Sequence, residues 1–257
     1  SLVFLRPLGL RLLREQHRKL AARVLNACVD VITLREPDSQ KELQSMGVTR
    51  PEVLLTADPA LTLPAASDDE IDSVLLRAGI PPRGNYLCFA LRNWKGFESK
   101  APLFGQAAKY AYETYGLTPV FAAVEKHLDP GAGRLAAAGL DIPHYFLDDA
   151  GSAGTIIGAL SRMQAVVSMR LHALIFAAGQ GIPLAGVVYD PKVSSFLRYI
   201  GQENFADLDA LTPDRLKSMI DRVAAAPISP EEQEAAVRKL RQTEQVNVET
   251  ARRLLGV

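Results

Sequence analysis

Short continuous apolar runs alternate with longer amphipathic ones along most of this chain. The runs Leu2–Leu5, Val29–Leu34, Val53–Thr56, Tyr86–Leu91, Val120–Val124, His144–Leu147, Ala165–Val167 and Pro183–Val188 are too short for helices. They show no polar alternation, the pattern of parallel strands covered on both faces. Between them lie helical signals. Leu10, Leu13, His17, Leu20, Val24 and Cys28 recur at helical spacing and predict an apolar stripe on an opening helix. Pro37–Met46 stops at Gly47 and Lys100–Tyr115 at Gly116; Thr155–Met163 and Leu171–Ala178 follow, the latter ending at Gly179. Strand–helix alternation of this kind predicts βαβ units and open, doubly wound sheets.

The alternation is interrupted between residues 60 and 85. Pro59, Pro64, Ala65, Ala66 and Ser67 form a small-residue connection, Asp68-Asp69-Glu70 opens a helix, and Pro81-Pro82-Arg83-Gly84 precedes a fresh strand. This divides the chain into residues 1–80, the C-terminal part of a first domain plus linker, and residues 81–257, a second domain with C-terminal helices. The first part has too few strands for a self-sufficient doubly wound domain and reads as incomplete at its N-terminus. Beyond residue 201 the strand pattern stops. Thr212-Pro213 supplies a cap and first position for one helix, and Ser229-Pro230 opens a long polar helix running to Leu255.

Composition narrows the function classes. Of the 257 residues 48% are apolar and 23% charged, ordinary for a globular protein. Lys plus Arg and Asp plus Glu both number 29, so no global field suits nucleic acid. No apolar run approaches the roughly 18 residues of a membrane span. Ser1 leads directly into Leu-Val-Phe-Leu without a charged lead or cleavage site, so no secretory signal is read. Cys28 and Cys88 form no CxxC and no zinc spacing, which predicts two reduced, buried thiols in a cytosolic protein. His17, His127 and His144 have no partner at ligand spacing, so no metal site is expected, and Asp148-Asp149 reads as a strand end and turn. The opening helix carries Arg6, Arg11, Arg14, Arg18, Lys19 and Arg23 against Glu15. That is most simply a solvated face; the rival reading is contact with anionic membrane.

The densest candidate for chemistry is Val166-Val167-Ser168-Met169-Arg170-Leu171-His172-Ala173. A strand ends, the chain turns at Ser168, and a helix begins with Arg170 and His172 in its first turn. Ligands of open parallel sheets bind at the carboxyl ends of strands, and a helix N-terminus favours an anion. Arg170 adds a planar fork for phosphate or carboxylate, and His172 a proton carrier. The plainer alternative is a satisfied helix histidine and a surface arginine. Basic residues are disfavoured in a first turn by the helix dipole, which argues for an anionic partner. A second such junction follows in Gly186-Val187-Val188-Tyr189-Asp190-Pro191-Lys192, where Asp190 reads as an N-cap and Lys192 enters a first turn. Trp94, just past a strand end beside Arg92, is either a sugar-stacking face or a core aromatic.

Three segments together resemble the polysaccharide pyruvyl transferase family. Ser168–Gly201, with Met-Arg-Leu-His-Ala-Leu-Ile-Phe-Ala-Ala, Gly-Ile-Pro, Tyr-Asp-Pro-Lys-Val and Phe196-Leu197, is similar to its C-terminal signature. Ile32-Thr33-Leu34-Arg35-Glu36 with Ser39, then Thr56-Ala57-Asp58-Pro59-Ala60, is similar to the middle one. Leu91-Arg92-Asn93-Trp94-Lys95 resembles the opening of the second half. The Gly-rich loop with which family members usually begin is lacking. The resemblance implies two Rossmann-like domains of glycosyltransferase-B-like architecture with the site in the cleft between them. It implies phosphoenolpyruvate as donor, a hexose of a cell-surface glycan, often lipid-linked, as acceptor, and no separate cofactor. By position, Arg170, Lys192, Arg35 and, more weakly, Arg92 would bind the donor, His172 would be the acid–base, and Trp94 would meet the acceptor. The expected location is the cytoplasm, with peripheral contact at the inner membrane face. The rival expectations are a sugar-nucleotide-dependent glycosyltransferase or epimerase, and a non-catalytic sugar- or anion-binding remnant.

Overall fold

The computed structural model describes residues 2–4, 15–225 and 229–256. Two parallel sheets organise them. The first contains β1 (Leu2–Phe4), β2 (Val31–Leu34) and β3 (Glu52–Leu55), with α1 (Glu15–Cys28) and α2 (Pro37–Ser45) as crossovers. A 3-10 turn at Pro59–Thr62 and α3 (Asp68–Arg77) lead to the second sheet. Its strands are β4 (Tyr86–Ala90), β5 (Thr118–Ala122), β6 (Tyr145–Leu147), β7 (Ala165–Ser168), β8 (Leu184–Val188) and β9 (Phe205–Asp207). The helices between them are α4 (Phe97–Tyr115), α5 (Pro130–Ala136), α6 (Ala153–Ser161), α7 (Leu171–Gly179) and α8 (Pro191–Tyr199); α9 (Pro213–Ala224) and α10 (Pro230–Leu255) close the chain. The spatial order is β6-β5-β4-β7-β8-β9, every pair parallel.

Strand periodicity explains the two core layers. Cys88, Ala90, Val120, Val166 and Leu184 point to a face covered by α3, α6, α7 and α8. Leu87, Phe89, Phe121, Val167 and Val187 point to the face covered by α4, α5 and α9. Both faces are apolar, so the strands read as unbroken hydrophobic runs. Burial pushes the Cys88 thiol up to about 12, leaving it a packing residue.

Residues 56–62 join the two sheets. Thr56, just past β3, bonds through its hydroxyl to Asn247 of α10 at 2.9 Å, and its carbonyl accepts from Tyr199 Oη at 2.5 Å. Asn247 Nδ2 donates to Ala57 O at 3.0 Å. The 3-10 turn lies directly on α7: a Cβ added at Gly179 would stand 2.5 Å from Leu61 O. Gly179→Ala should therefore push this joint apart and cost about 1–3 kcal/mol. For a chain of this size that lowers the melting temperature by roughly 2–4 °C per kcal/mol. A thermal melt indistinguishable from wild type would show that the turn does not bear on α7.

Three expectations need correction. The described part of the opening helix buries Ala22 and Leu25, with Val29 beyond it, whereas Leu20 and Val24 are exposed. The sheet-facing side is thus rotated by about one residue from the stripe expected, so Cys28 is exposed rather than buried. Strand pairing does not stop at residue 201: β9 joins β8 at the sheet edge. It is a three-residue strand whose only large apolar side chain is Phe205, too little for a periodicity signal. Helix α5 was hidden for a similar reason, since Pro130, Gly131 and Gly133 are poor helix formers. Gly133 belongs there because a Cβ would meet Phe121 Cβ at 3.0 Å.

The basic residues Arg6, Arg11 and Arg14 lie outside the described residues. Of the rest, Arg18 is held by Glu42 and by Ser45 Oγ at 3.0 Å, and so bonds α1 to α2. Among the described residues no helix is long and apolar enough to cross a membrane.

Candidate functional site

In the second sheet the chain starts at β4, builds outward through β5 to β6, and returns to the other side of β4 with β7. The connections beyond the carboxyl ends of β4 and β7 therefore part in opposite directions. Such a topological switch point leaves a crevice where doubly wound sheets bind ligands. Arg92 follows β4 and Arg170 follows β7, one on each side of it.

The loop carrying Arg170 is tightly built. Ser168, fully buried, donates its hydroxyl to Ala90 O at 3.1 Å and accepts from Arg170 N at 2.8 Å. Met169 N donates to the same Ala90 carbonyl at 3.0 Å. The turn after β7 is thereby fixed to the end of β4. Arg170 is the N-cap residue of α7, one position earlier than first-turn placement implied, and no side chain caps that helix. By contrast Ser152, Asp190 and Thr212 each cap their helices with a side-chain oxygen. Where an acceptor would ordinarily sit, this loop has a cation.

Arg170 Nε lies 3.3 Å from Asp129 Oδ2, and the same carboxylate oxygen accepts from Val124 N at 3.1 Å and Glu125 N at 2.8 Å. Asp129 thus folds the loop after β5 around itself and reaches across β4 to Arg170. Its side chain is only 1% exposed, against 14% for Arg170. Burial raises the Asp129 pKa above the usual Asp value, and the Glu125 amide, Arg170, the Val124 amide and Arg92 each offset part of that rise. Two buried atoms of this pair, Asp129 Oδ1 and Arg170 Nη1, have no hydrogen-bond partner among the described residues. An unmet buried donor on a cation costs free energy that an arriving anion removes.

Arg92 extends the cluster toward β8. Its Nη1 is 3.4 Å from Tyr189 Oη, and its guanidinium lies 5.4 Å from the Trp94 ring centroid and 5.7 Å from that of Tyr189. Those two rings are 4.9 Å apart. Lys192 Nζ sits 5.6 Å from the Tyr189 ring and 3.5 Å from Asp190 Oδ2, while Asp190 Oδ1 accepts from Lys192 N at 3.0 Å, the N-cap expected of it. Contacts therefore link Arg170 to Asp129, and Arg92 to Trp94, Tyr189 and, through the Tyr189 ring, Lys192; between the two groups runs only the pull of the Arg92 charge on the Asp129 carboxyl. His172 is half-buried at the second position of α7, its ring 6.1 Å from that of Phe176.

Arg35 is not joined to this network. Its guanidinium pairs with Glu36 at 3.2 Å and Asp58 at 2.5 Å, and Asp58 also accepts from Ala60 N at 3.0 Å. Two carboxylates satisfy that charge within the first sheet's edge, so Arg35 works as a brace between β2 and the 3-10 turn. Asp148 and Asp149 form surface pairs with Arg134 and Lys126, and Asp149 closes a turn on Gly151 N at 2.8 Å. Among the described residues no group of His, Cys, Asp and Glu gathers to hold a metal.

Asp129 and Tyr189 are the members of the cluster to which sequence reasoning gave no role. The only local signal for Asp129 was its Asp-Pro dipeptide after a strand, shared with Asp190-Pro191.

Residues 4–191 match the family model of the polysaccharide pyruvyl transferases, well over half of the chain. The chain belongs to this family. The matched region takes in Arg92, Trp94, Asp129, Arg170 and His172 and stops one residue before Lys192. No curated protein matches the chain in sequence. Among solved structures, Anabaena HepE in complex with UDP-glucose is similar at TM-score 0.61 and 13% identity, covering 97% of this chain and 71% of that one. The spinosyn rhamnosyltransferase solved with its aglycone gives 0.56 and 14%, covering 96% and 70%. The UDP-GlcNAc 2-epimerase of Methanocaldococcus jannaschii gives 0.54 and 9%, covering 82% and 60%. The chain thus spans between 60% and 71% of the length of these three. At such identities the likeness shows the fold, which is that of glycosyltransferase-B-like enzymes and epimerases. This pyruvyl transferase family member is accordingly mixed α/β with parallel sheets, as expected.

Proposed function

We propose that this protein moves pyruvate from phosphoenolpyruvate onto a hexose of a cell-surface polysaccharide, lipid-linked or free, as a ketal. The observation that carries the reading is Arg170, a half-buried cation with one buried, unmet donor at an uncapped helix terminus beside the switch point. Phosphoenolpyruvate bears a phosphate and a carboxylate, and recognising both takes more than one cation. Arg170 and Arg92 form the inner pair, and Lys192 supplies a third charge at the next loop. Residues 1–80 and 81–257 are read as the two halves between which the substrates meet, on the cytoplasmic side of the membrane. Any membrane contact belongs to the basic run Arg6, Arg11, Arg14, Arg18, Lys19 and Arg23.

In the reaction, His172 gives a proton to the methylene carbon of phosphoenolpyruvate, making C2 electrophilic. A sugar hydroxyl adds to C2 and its proton passes to His172, now deprotonated. The C2–O bond to phosphate breaks, a second hydroxyl of the same sugar adds to C2 to close the ketal, and its proton leaves with the phosphate. The cations hold the carboxylate and stabilise the negative charge that gathers on the departing phosphate.

Calorimetric titration with phosphoenolpyruvate tests this, with UDP-N-acetylglucosamine as the control for a sugar-nucleotide enzyme. Binding should be seen for phosphoenolpyruvate alone, and Arg170→Ala should weaken it by about 10- to 100-fold, the worth of one charged hydrogen-bond pair. Preference for the nucleotide sugar would replace this reading by the rival one. Intact donor binding without turnover in the presence of any acceptor glycan would select a binding module.

A further inference from the structure

The second sheet ends in two edge strands, and the chain treats them differently. At the β9 edge the outward backbone is closed from within: Phe205 N donates to Glu203 O at 2.9 Å, and Phe205 O accepts from Arg215 Nη2 at 3.0 Å. The β6 edge has no such cover. Leu147 O accepts from Ala123 N at 2.9 Å in the parallel pairing with β5. A strand residue turns its N–H and C=O to one side, and the side alternates along the strand. Tyr145 and Leu147 therefore bond β5, and Phe146 faces outward, with the flanking His144 and Asp148 in the same phase. Among the described residues nothing bonds the Phe146 backbone from outside. A groove of about 480 Å³ lies along this edge, with Val74 and Arg77 of α3 on one flank and Arg134 of α5 on the other.

An open edge is a template for another strand. The residues of this one say which strand fits. Laid antiparallel on itself about a twofold axis at Phe146, β6 sets Phe146 against its own copy and His144 against Asp148 at both ends. The outward-facing residues are thereby the ones that pair. Their side chains share the face of the sheet that α5 covers. Phe146 is half-buried beneath Arg134, whose guanidinium lies 4.4 Å from the ring centroid, and a second Phe146 beside it completes a cross-strand aromatic pair. The His144 ring stands edge-on to Phe121 and Phe146, and its Nδ1 donates to Ile142 O at 2.8 Å. That leaves Nε2 for the carboxylate of the second copy's Asp148, which Arg134 already holds in place. Parallel pairing would instead bring Asp148 and Asp149 of the two copies together, and like charges oppose it.

We infer that this edge is a homodimer interface, in which the β6 strands of two copies pair antiparallel and carry the sheet from one copy into the other. The twofold axis reverses strand direction, so the carboxyl ends of the two sheets, each with its own switch point, open to opposite sides. Neither switch point takes a residue from the other copy, and the inference stands apart from the donor reading. Pairing over so short a strand buries less than the roughly 1,200 Å² of a stable interface. The dimer should accordingly dissociate in the range of about 10–100 μM.

Sedimentation equilibrium of the purified chain from about 1 to 500 μM decides it. A monomer–dimer equilibrium is expected. Asp148→Lys, which sets a cation against His144, should weaken it at least about tenfold, and adding His144→Asp in the same chain should recover it. The register is read by cross-linking in a Cys28→Ser background, because Cys28 is exposed and could bridge copies by collision. Phe146→Cys should form a disulfide between copies on air oxidation, since directly opposed residues stand about 5.5 Å apart between Cα atoms, within disulfide reach. Asp149→Cys, exposed but away from the axis, should not. A chain that stays monomeric over the whole range overturns the inference. So does a dimer in which Phe146→Cys fails to bridge or Asp149→Cys bridges as readily, and so does a double variant no tighter than Asp148→Lys alone.

Discussion

Changing His172 to Gln should lower turnover about 100- to 10,000-fold while leaving phosphoenolpyruvate affinity close to wild type. The separation follows from the division of labour at the switch point. Donor charge is met by Arg170 and Arg92, both anchored by groups other than His172: Arg170 through Ser168 and Asp129, Arg92 through Tyr189. Removing the imidazole therefore leaves the anion site standing and takes away the proton that C3 of the donor must receive. Glutamine is the informative choice, because it keeps hydrogen-bonding capacity and approximate volume but cannot carry a proton between donor and acceptor. His172 is half-buried on α7 beside Phe176. Single-turnover kinetics with saturating phosphoenolpyruvate is the measurement, alongside calorimetric affinity. Equal loss of affinity and turnover would make His172 a binding residue, and unchanged turnover would remove it from the chemistry.

The parts of this protein legible in its sequence are those whose cause is local. The strands of the second sheet lie between two apolar layers, so their burial is written as continuous Val, Leu, Phe and Ala runs, and β4, β7 and β8 fall where those runs do. Caps were legible for the same reason, since Asp190 and Thr212 act on amides two or three residues away. Where a neighbour decides, the sequence was silent. The buried face of α1 is set by the sheet beneath it, and Leu20 and Val24 at good helical spacing point away from it. In helix α5, Gly133 lies against Phe121, and Gly105 of α4 lets the Ala136 carbonyl of α5 come close. The site divides in the same way. Arg170 was visible as a cation at a strand–helix junction. Asp129 was not, because its loop follows β5, and only the order β5-β4-β7 carries it across β4 to Arg170. Arg35 shows the converse: its motif was legible, but not the two carboxylates that engage it.

Asp129 is where fold and site depend on the same carboxyl group, and its substitutions should separate the two. Asp129→Leu removes the acceptor for the Val124 and Glu125 amides and leaves the Arg170 guanidinium in the protein without its counter-charge. Breaking a buried pair from one side costs about 3–5 kcal/mol. At roughly 2–4 °C per kcal/mol, the melting temperature should fall by about 6–20 °C. Asp129→Asn keeps the shape and an acceptor oxygen while removing the charge, and its effect should appear in the pH dependence instead. Burial holds the Asp129 carboxyl above the ordinary value of 3.8, so the folded wild type keeps this proton to higher pH than the unfolded chain does. Its contribution to stability is fully present below 3.8 and is lost as pH rises through the raised folded value. In urea unfolding the stability of wild type relative to the Asn variant should therefore fall as pH rises across that acidic window. Donor binding should report on the same proton. An anion arriving at Arg170 and Arg92 places negative charge beside Asp129 and raises its pKa further, so phosphoenolpyruvate should bind with proton uptake, measured from calorimetric enthalpies in buffers of different ionisation heat. Uptake of equal size in the Asn variant would assign the proton to another group. Uptake that disappears with the carboxyl would place Asp129 against the donor, as a positioning residue whose charge sets how firmly Arg170 is held.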